Sequence, residues 1–139
     1  MTPLVLIACS KQKLPVPSPA KDLYQGSLFK KCRQLVERDA MQWVIISARH
    51  GIIDPRDTIA PYDATLETMG RRERLEWAGM VQTQLRTLHT GRQLVALAGE
   101  HYRTALAGFD VRIPLFGLGI GEQLHALSNP NFTLLGDRT

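Results

Sequence analysis

Apolar residues recur along the chain in two patterns, short continuous runs and longer runs with helical spacing. Leu4–Ala8 is an unbroken apolar run with β-branched residues, which predicts a strand buried on both faces. Ser27–Arg38 carries apolar residues at helical spacing and predicts the first helix, with Ser27 as its N-cap. Trp43–Ser47 is a second β-branched run and predicts a second strand. The first part of the chain therefore alternates strand, helix and strand.

The rest of the chain continues this alternation after a long interruption. Ile52–Met69 shows no sustained period, and its prolines and apolar residues predict a long, packed cover. Arg71–Leu88 predicts the clearest helix, with one apolar face. The residues of that face are Leu75, Ala78, Val81 (or Gln82), Leu85 and Leu88. The remaining predicted elements are a strand at Gln93–Ala98, a short helix at Gly99–Leu106, a strand at Val111–Ile113 and a helix at Gly121–Leu127.

This order of elements predicts the fold class. Alternating strands and helices are typical of a three-layer, Rossmann-like α/β domain, with a mostly parallel sheet of about four strands and helices on both faces. The length of 139 residues fits one domain spanning 1–139. In such open sheets, ligands bind outside the carboxyl ends of the strands. The turns that follow the strands are therefore the places to look for a site.

The first turn, Cys9-Ser10-Lys11-Gln12-Lys13, combines a thiol, a hydroxyl and two ammonium groups. Nearby lysines can activate a cysteine, but the favoured interpretation of Cys9 is a small hydrophobic residue that ends the strand and at most contributes to ligand binding. A phosphatase loop requires arginine at position 15 and a redox pair requires cysteine at position 12, where Pro15 and Gln12 stand. Hydroxyl and ammonium groups commonly bind phosphate, so we expect Ser10, Lys11 and Lys13 to bind a ligand.

The second turn follows the predicted strand that ends at Ser47. His50 is a candidate acid or base, and it can equally be a structural histidine that closes the turn. Gly51 is expected to allow a backbone angle that other residues avoid. Ser47 and Gly51 are therefore candidate substrate-binding residues of this turn.

The third turn begins at Gly99, whose flexibility lets the chain enter a helix and present N–H groups to an anion. Glu100 is a candidate catalytic carboxylate, although it can simply favour the helix dipole. Tyr102 follows on the same helix as a candidate binding residue. In the long cover, Tyr62 and Asp63 offer an aromatic ring and a carboxylate, and the alternative is a turn with Tyr62 packed inward. Tyr24 carries the same two interpretations.

Composition narrows the class of partner. The net charge is +4 with a pI near 9.4, which favours acidic partners, DNA or RNA included. Two cysteines form no disulfide framework and predict a reducing cytoplasm. No spacing of cysteine and histidine indicates a metal site, and no motif predicts a cofactor. No apolar run has the length of a membrane-spanning helix, so no membrane partner is expected. A homodimer is compatible with this size.

Several short motifs, taken in order, resemble a known family. They are Cys9-Ser10-Lys11 with Lys13, Ala20 with Asp22-Leu23-Tyr24, Ser47-Ala48 with His50-Gly51-Ile52, Pro61-Tyr62-Asp63 with Leu66, and Gly99-Glu100-His101-Tyr102. In these the chain resembles a family of small bacterial and phage proteins that carries only a domain-of-unknown-function label. That family is distantly similar to the YaaA peroxide-stress proteins linked to DNA binding, and to Rossmann-like modules that handle nucleobases in nucleic-acid modification. The resemblance implies a nucleotide or nucleic-acid theme and no catalytic assignment.

These observations lead to alternative hypotheses. The first is a pocket for a nucleoside, nucleotide or nucleobase, with an enzymatic version that acts at a glycosidic bond. Ser10 and Lys11 would hold phosphate or sugar, Tyr62 or Tyr24 would stack on the base, and Asp63 or Glu100 would act as acid, base or nucleophile. The second is a DNA- or RNA-binding module without chemistry, related to stress responses. The third is redox sensing by Cys9.

Overall fold

The computed structural model describes residues 2–89 and 91–135. The first elements in chain order are β1 (Leu4–Ala8), β2 (Ser18–Pro19), α1 (Ala20–Leu23), α2 (Ser27–Arg38), β3 (Trp43–Ser47), β4 (Gly51–Ile53) and β5 (Thr58–Ile59). They are followed by α3 (Arg71–Leu88), β6 (Leu94–Leu97), α4 (Glu100–Arg103), β7 (Val111–Arg112) and α5 (Ile120–Ser128). Short 3₁₀ turns lie at Leu66–Thr68 and Thr104–Leu106.

The main sheet has five strands in the order β4-β3-β1-β6-β7. Strand β1 is central and runs parallel to both β3 and β6, β7 runs parallel to β6, and β4 runs antiparallel to β3. The chain leaves β1 toward β3 on one side and later reaches β6 on the other. The sheet order therefore reverses next to β1, which creates a crevice at the carboxyl ends of β1 and β6.

Side chains of the central strand alternate between two hydrophobic clusters, one on each face of the sheet. Val5 and Ile7 pack with α2 and α5, whereas Leu4 and Leu6 pack with α3 and the 3₁₀ turn after α4. Strands buried on both faces have no polar side, which is why β1 is a continuous apolar run. The prediction of a three-layer α/β domain with a mostly parallel sheet and helices on both faces is confirmed.

The cover predicted at Ile52–Met69 is partly a strand. Gly51 has a positive φ of 72° and reverses the chain, so β4 pairs antiparallel with β3 and becomes the fifth strand. Further along, β5 pairs with β2 in a separate two-stranded sheet. Three and two residues are too short to show a period, which explains why the sequence did not indicate these strands.

Two predicted details of the helices, the buried face of α3 and the N-cap of α2, are wrong. In α3 the buried residues are Trp77, Val81 and Leu85, while Leu75 and Leu88 are 62% and 64% exposed. The face is rotated toward Trp77 because its indole Nε1–H donates a 2.8 Å hydrogen bond to the Ser47 carbonyl. In α2 the N-cap is Gly26 rather than Ser27, which is the first helical residue.

Candidate functional site

A cavity of about 730 Å³ lies in the crevice between the carboxyl ends of β1 and β6. Its walls come from the ends of those strands and from the first turns of α2, α4 and α5. The inner wall is apolar and includes Ile7, Leu97 and Leu115. The side chains that bring polar groups to the cavity are Cys9, Ser10, Ser27, Glu100, Arg103 and Gln123. The cavity therefore has an apolar interior and a polar rim.

Ser10 joins the turn after β1 to the start of α2. Its Oγ accepts a 3.0 Å hydrogen bond from the Gly26 N–H and donates one of 2.9 Å to the Gln12 carbonyl. A Cβ at position 26 would lie 2.7 Å from the Ser10 Cβ, so this approach requires glycine. Since a hydroxyl has one proton and two lone pairs, Ser10 retains an acceptor and has no proton left for a phosphate. Ser10 is thus suited to bind a donor, such as a sugar hydroxyl.

The first turn of α2 supplies donors to the same cavity. The N-cap of α2 is Gly26, which has no side chain to cap the helix. The residues of this turn that line the cavity are Gly26, Ser27, Leu28 and Phe29. The first N–H groups of a helix have no partner within the helix. Because the Gly26 N–H is bound by Ser10, the N–H groups that follow it in this turn are the ones that can donate hydrogen bonds to a ligand.

The opposite wall is formed by the turn into α4. Gly99 and Glu100 are exposed at this wall, and Arg103 lies one helical turn further on. Gln123, on α5, donates from Nε2 to the Leu118 carbonyl at 2.8 Å, which orients its Oε1 as an acceptor. Arg103 and Gln123 were not predicted from the sequence. The spacing from Glu100 to Arg103 is i to i+3 on one helix, which was the available signal for Arg103.

A second group of polar side chains lies beside this cavity, over the ends of β1 and β3. We call it the tyrosine cluster, and it consists of Cys9, Tyr24, Ser47, Tyr62 and Tyr102. The Tyr62 hydroxyl lies 2.6 Å from the hydroxyls of both Tyr24 and Ser47. Cys9 Sγ is 3.2 Å from the Tyr102 hydroxyl. Cys9 also lines the cavity and thus lies where the two groups meet.

The hydrogen bonds of Ser47 determine the direction of the chain of hydroxyls. Its Oγ accepts the N–H groups of Arg49 and His50, each at 3.1 Å, which uses both lone pairs. The Ser47 proton is therefore donated to Tyr62. Because Ser47 and Tyr24 are at most 1% exposed, neither offers a surface to a ligand. Ser47 instead holds the turn into β4.

Burial keeps these tyrosines neutral. Loss of solvent raises the pKa of Tyr24 to about 12, against an ordinary value of 10.0. Burial likewise raises the pKa of Tyr62 and of Tyr102, and the nearby Cys9 contributes in the same direction. All three phenols therefore keep their protons at neutral pH and remain hydrogen-bond donors.

Lys13 and His50 contact Tyr62 from outside the cluster. Lys13 Nζ lies 4.4 Å from the centre of the Tyr62 ring and donates to the Lys11 carbonyl. The His50 ring meets Tyr62 edge to face, with 5.2 Å between centroids. Burial, with a smaller contribution from Arg49, lowers the pKa of His50, so the ring is neutral at pH 7. Tyr62 is thus packed inward, the alternative to a free stacking platform.

The predicted site residues consequently divide into separate groups. Cys9, Ser10, Gly99 and Glu100 line the cavity, while Tyr24, Ser47, Tyr62 and Tyr102 belong to the tyrosine cluster. Lys13, His50 and Gly51 support that cluster or the turn beside it, where Gln84 accepts the Ile52 N–H and donates to the His50 carbonyl. Lys11 and Asp63 are exposed and lie outside the cavity. Of the candidate acids and bases, Glu100 is the one brought to the cavity.

The described residues form neither a metal-binding cluster nor a membrane-spanning helix. Within 2–89 and 91–135, no three or more His, Cys, Asp and Glu side chains gather as they would around a metal ion. No helix in the described part of the chain combines the length and apolar character needed to cross a bilayer.

Comparison with known proteins places the chain in a family. Residues 4–129 match a family described as "Family of unknown function (DUF6884)". The chain is 31% identical over 143 residues to the uncharacterized protein YfjM of Bacillus subtilis (strain 168), covering 92% of this chain and 94% of that protein. No solved structure matches it significantly. The similarity to YaaA proteins stays a prediction, whereas the predicted resemblance to a family of unknown function is confirmed. The chain belongs to this family of unknown function, DUF6884.

Proposed function

We propose that this protein binds a nucleoside or nucleotide in the cavity between β1 and β6. The observation that carries the proposal is the cavity itself, about 730 Å³ in volume, placed where the sheet order reverses. Small-molecule sites typically measure about 300–1,000 Å³ and combine apolar walls with a few polar groups. Open α/β sheets bind ligands at such reversals, and nucleotides are frequent among those ligands.

The apolar interior suits a nucleobase. Ile7, Leu97 and Leu115 present buried aliphatic surface against which an aromatic ring can pack. A base also needs partners for its polar edge, because leaving a buried donor or acceptor unpaired costs about 1–3 kcal/mol. The Gln123 Oε1 can accept a hydrogen bond from an exocyclic amine. In this proposal the apolar walls pack against the ring of the base, and the amide of Gln123 recognises its polar edge.

The polar rim suits the sugar. Ser10 Oγ retains one acceptor position, and the hydroxyl of Ser27 and the carboxylate of Glu100 line the same opening. Ribose hydroxyls are donors, so these three acceptors at the rim complement them. We therefore expect Ser10 to contact the sugar rather than a phosphate.

The enzymatic version of the proposal acts at the glycosidic bond and uses Glu100. Of the described residues that line the cavity, Glu100 alone carries a carboxylate. A carboxylate near the anomeric carbon can stabilise the positive charge of a glycosidic transition state or attack it as a nucleophile. Asp63 and His50 do not line the cavity, so this version gives neither a direct part in the reaction.

Calorimetric titration of the full chain with nucleosides and nucleotides tests the binding. We expect a dissociation constant in the micromolar range or below for at least one base, with binding weakened in Gln123→Ala. A matched control is Gln82→Ala, which removes a half-buried glutamine on α3 that does not line the cavity. Equal loss in both variants, or no binding of any base, would refute the proposal.

A separate assay tests catalysis. Incubation with nucleosides and nucleotides, followed by chromatography for free base, should show release that Glu100→Gln abolishes while binding persists. Binding without any release would leave a binding protein and remove the enzymatic version. Release unaffected in Glu100→Gln would place the reaction on another group.

A second candidate function is DNA or RNA binding, and the start of α3 favours it. Arg71, Arg72 and Arg74 lie there, and the Arg74 guanidinium is 3.3 Å from His101 Nδ1 on α4, next to the cavity wall. The ion pairs among the described residues involve Arg33, Arg38 and Arg56 instead. Arginines at one edge that form no ion pair among the described residues could contact phosphates, and that affinity would fall steeply with salt.

A further inference from the structure

Arg103 is a charged residue with an incomplete set of hydrogen bonds among the described residues. Its Nε is buried and has no hydrogen-bond partner among the described residues. Its guanidinium carbon lies 5.3 Å from the centre of the Phe116 ring, close enough for a cation–π contact. This contact with the ring gives the Nε–H no hydrogen-bond acceptor. The Nε–H of Arg103 is therefore left for another partner.

The position of Arg103 shows where that partner would lie. Arg103 lines the cavity and also a shallow groove of about 570 Å³ that adjoins it. The groove is lined by Glu100, Arg103, Thr104, Ile113, Phe116 and Gly117. A ligand whose base occupies the interior would extend toward solvent through this groove. The group that follows the sugar would thus meet Arg103.

We infer that Arg103 binds the phosphate of a nucleotide at the outer end of the cavity. This inference rests on the proposed function and specifies its ligand as a phosphorylated nucleoside. Guanidinium donors form a planar fork that matches the oxygens of a phosphate, and the Phe116 ring contacts the guanidinium beside that fork. The phosphate supplies the missing acceptor for the buried Nε. Its negative charge also pairs with the guanidinium cation.

Paired ligands test the inference. Adenosine, guanosine, cytidine and uridine are titrated into the full chain beside their 5′-monophosphates, with pyrophosphate as an anion without a base. A charge-assisted hydrogen bond predicts that the wild-type protein prefers the monophosphate by about tenfold to a hundredfold. Arg103→Gln should abolish that preference and leave nucleoside affinity within about twofold. Arg103→Lys, which keeps the charge and loses the fork, should restore part of it.

The matched control is Arg112→Gln, because Arg112 is an exposed arginine of β7 that does not line the cavity. It removes the same charge and should retain the preference. Thermal denaturation without ligand adds a readout for a structural role. Since Nε has no partner among the residues that the structure describes and Phe116 is largely exposed, Arg103→Gln should change the melting temperature by no more than a few degrees.

The possible results separate this inference from the proposed function. Nucleoside binding with no preference for the monophosphate, or equal weakening of both ligands in Arg103→Gln, overturns the role of Arg103 and keeps the pocket. Pyrophosphate binding that depends on Arg103, without binding of any nucleoside, keeps the anion site and refutes the nucleoside pocket. Failure of every compound to bind overturns both.

Discussion

The cavity and the tyrosine cluster lie side by side at one edge of the sheet. They differ in whether their polar groups are hydrogen-bonded within the protein. In the tyrosine cluster the hydroxyls bind one another, and Ser47 Oγ alone has three partners. At the cavity, within the described part of the chain, α2 has no side-chain cap and the buried Arg103 Nε has no partner. The polar groups of the tyrosine cluster are thus hydrogen-bonded to one another, whereas the cavity has polar groups available to a ligand.

This difference separates structural roles from binding roles. A fully paired buried network stabilises one arrangement, and a ligand would have to break it. An unpaired buried group raises the energy of the free protein and is stabilised by a ligand that pairs with it. By this criterion, the residue types that are most suggestive chemically, the tyrosines, hold the fold together. The cavity with its apolar interior is the better candidate for function.

The largest effect should come from filling the cavity at Gly99. A Cβ at Gly99 would meet no heavy atom of the described residues within 4 Å, and the φ of −71° is accessible to other residues. Gly99→Phe should therefore place a ring at the cavity wall without disrupting the core. We expect nucleotide affinity to fall at least about a hundredfold, or about 2.8 kcal/mol, in calorimetric titration.

Gly99→Ala is the control for this substitution. It makes the same change in backbone freedom but adds one methyl group, and we expect it to weaken binding by less than about threefold. Unfolding by denaturant should give both variants similar stability. Unchanged affinity in Gly99→Phe would mean that the ligand binds elsewhere, and the contrast between the two regions would lose its functional meaning.

The next effect concerns stability and comes from the tyrosine cluster. Tyr62→Phe removes the hydroxyl that links Tyr24 and Ser47, and leaves these buried groups short of a partner. We expect a loss of about 1–3 kcal/mol in the free energy of unfolding, measured with urea. Ligand affinity should stay within about twofold. If Tyr62→Phe instead spared stability and reduced affinity, the tyrosine cluster would be part of the binding site.

Much of the fold was predictable because its central strands are buried on both faces. Leu4–Ala8 and Trp43–Ser47 are continuous apolar runs whose ends agree with β1 and β3. Strand β4 was not predicted, because its short run carries no period and its pairing depends on the turn at Gly51. The rotation of α3 was not predicted either, because the hydrogen bond of Trp77 is a tertiary contact.

The candidate site was only partly predictable, for a related reason. Sequence gives the chemistry of Ser10 and Glu100 and the rule that places them at strand ends. It does not show that the Ser10 proton is used by Gln12, or that Tyr24 is fully buried. Arg103 was not predicted because its role is inferred from a buried Nε that has no partner among the described residues. Burial and hydrogen bonding of that atom are known only in the folded protein.

A smaller effect should appear in alkaline solution. Burial raises the pKa of Tyr24 from 10.0 to about 12, so the folded state favours the protonated phenol. Its stabilising contribution is complete below pH 10 and is lost as pH rises through about 12. Urea unfolding between about pH 8 and pH 11 should show stability falling toward the alkaline end, and less steeply in Tyr24→Phe. An identical slope in that variant would contradict the buried position of Tyr24.

The smallest effect is expected from reversing charge at the start of α3. In the triple variant Arg71→Glu, Arg72→Glu and Arg74→Glu, we expect nucleotide affinity to change by less than about twofold at physiological salt, where charges are screened beyond about 8 Å. Filter binding with single- and double-stranded DNA and RNA, at low and high salt, gives the complementary measurement. Strong polynucleotide binding by the wild-type protein that the triple variant abolishes, with Gly99→Phe binding normally, would assign function to the basic edge. Loss of binding in Gly99→Phe, with normal binding by the triple variant, would instead assign function to the cavity.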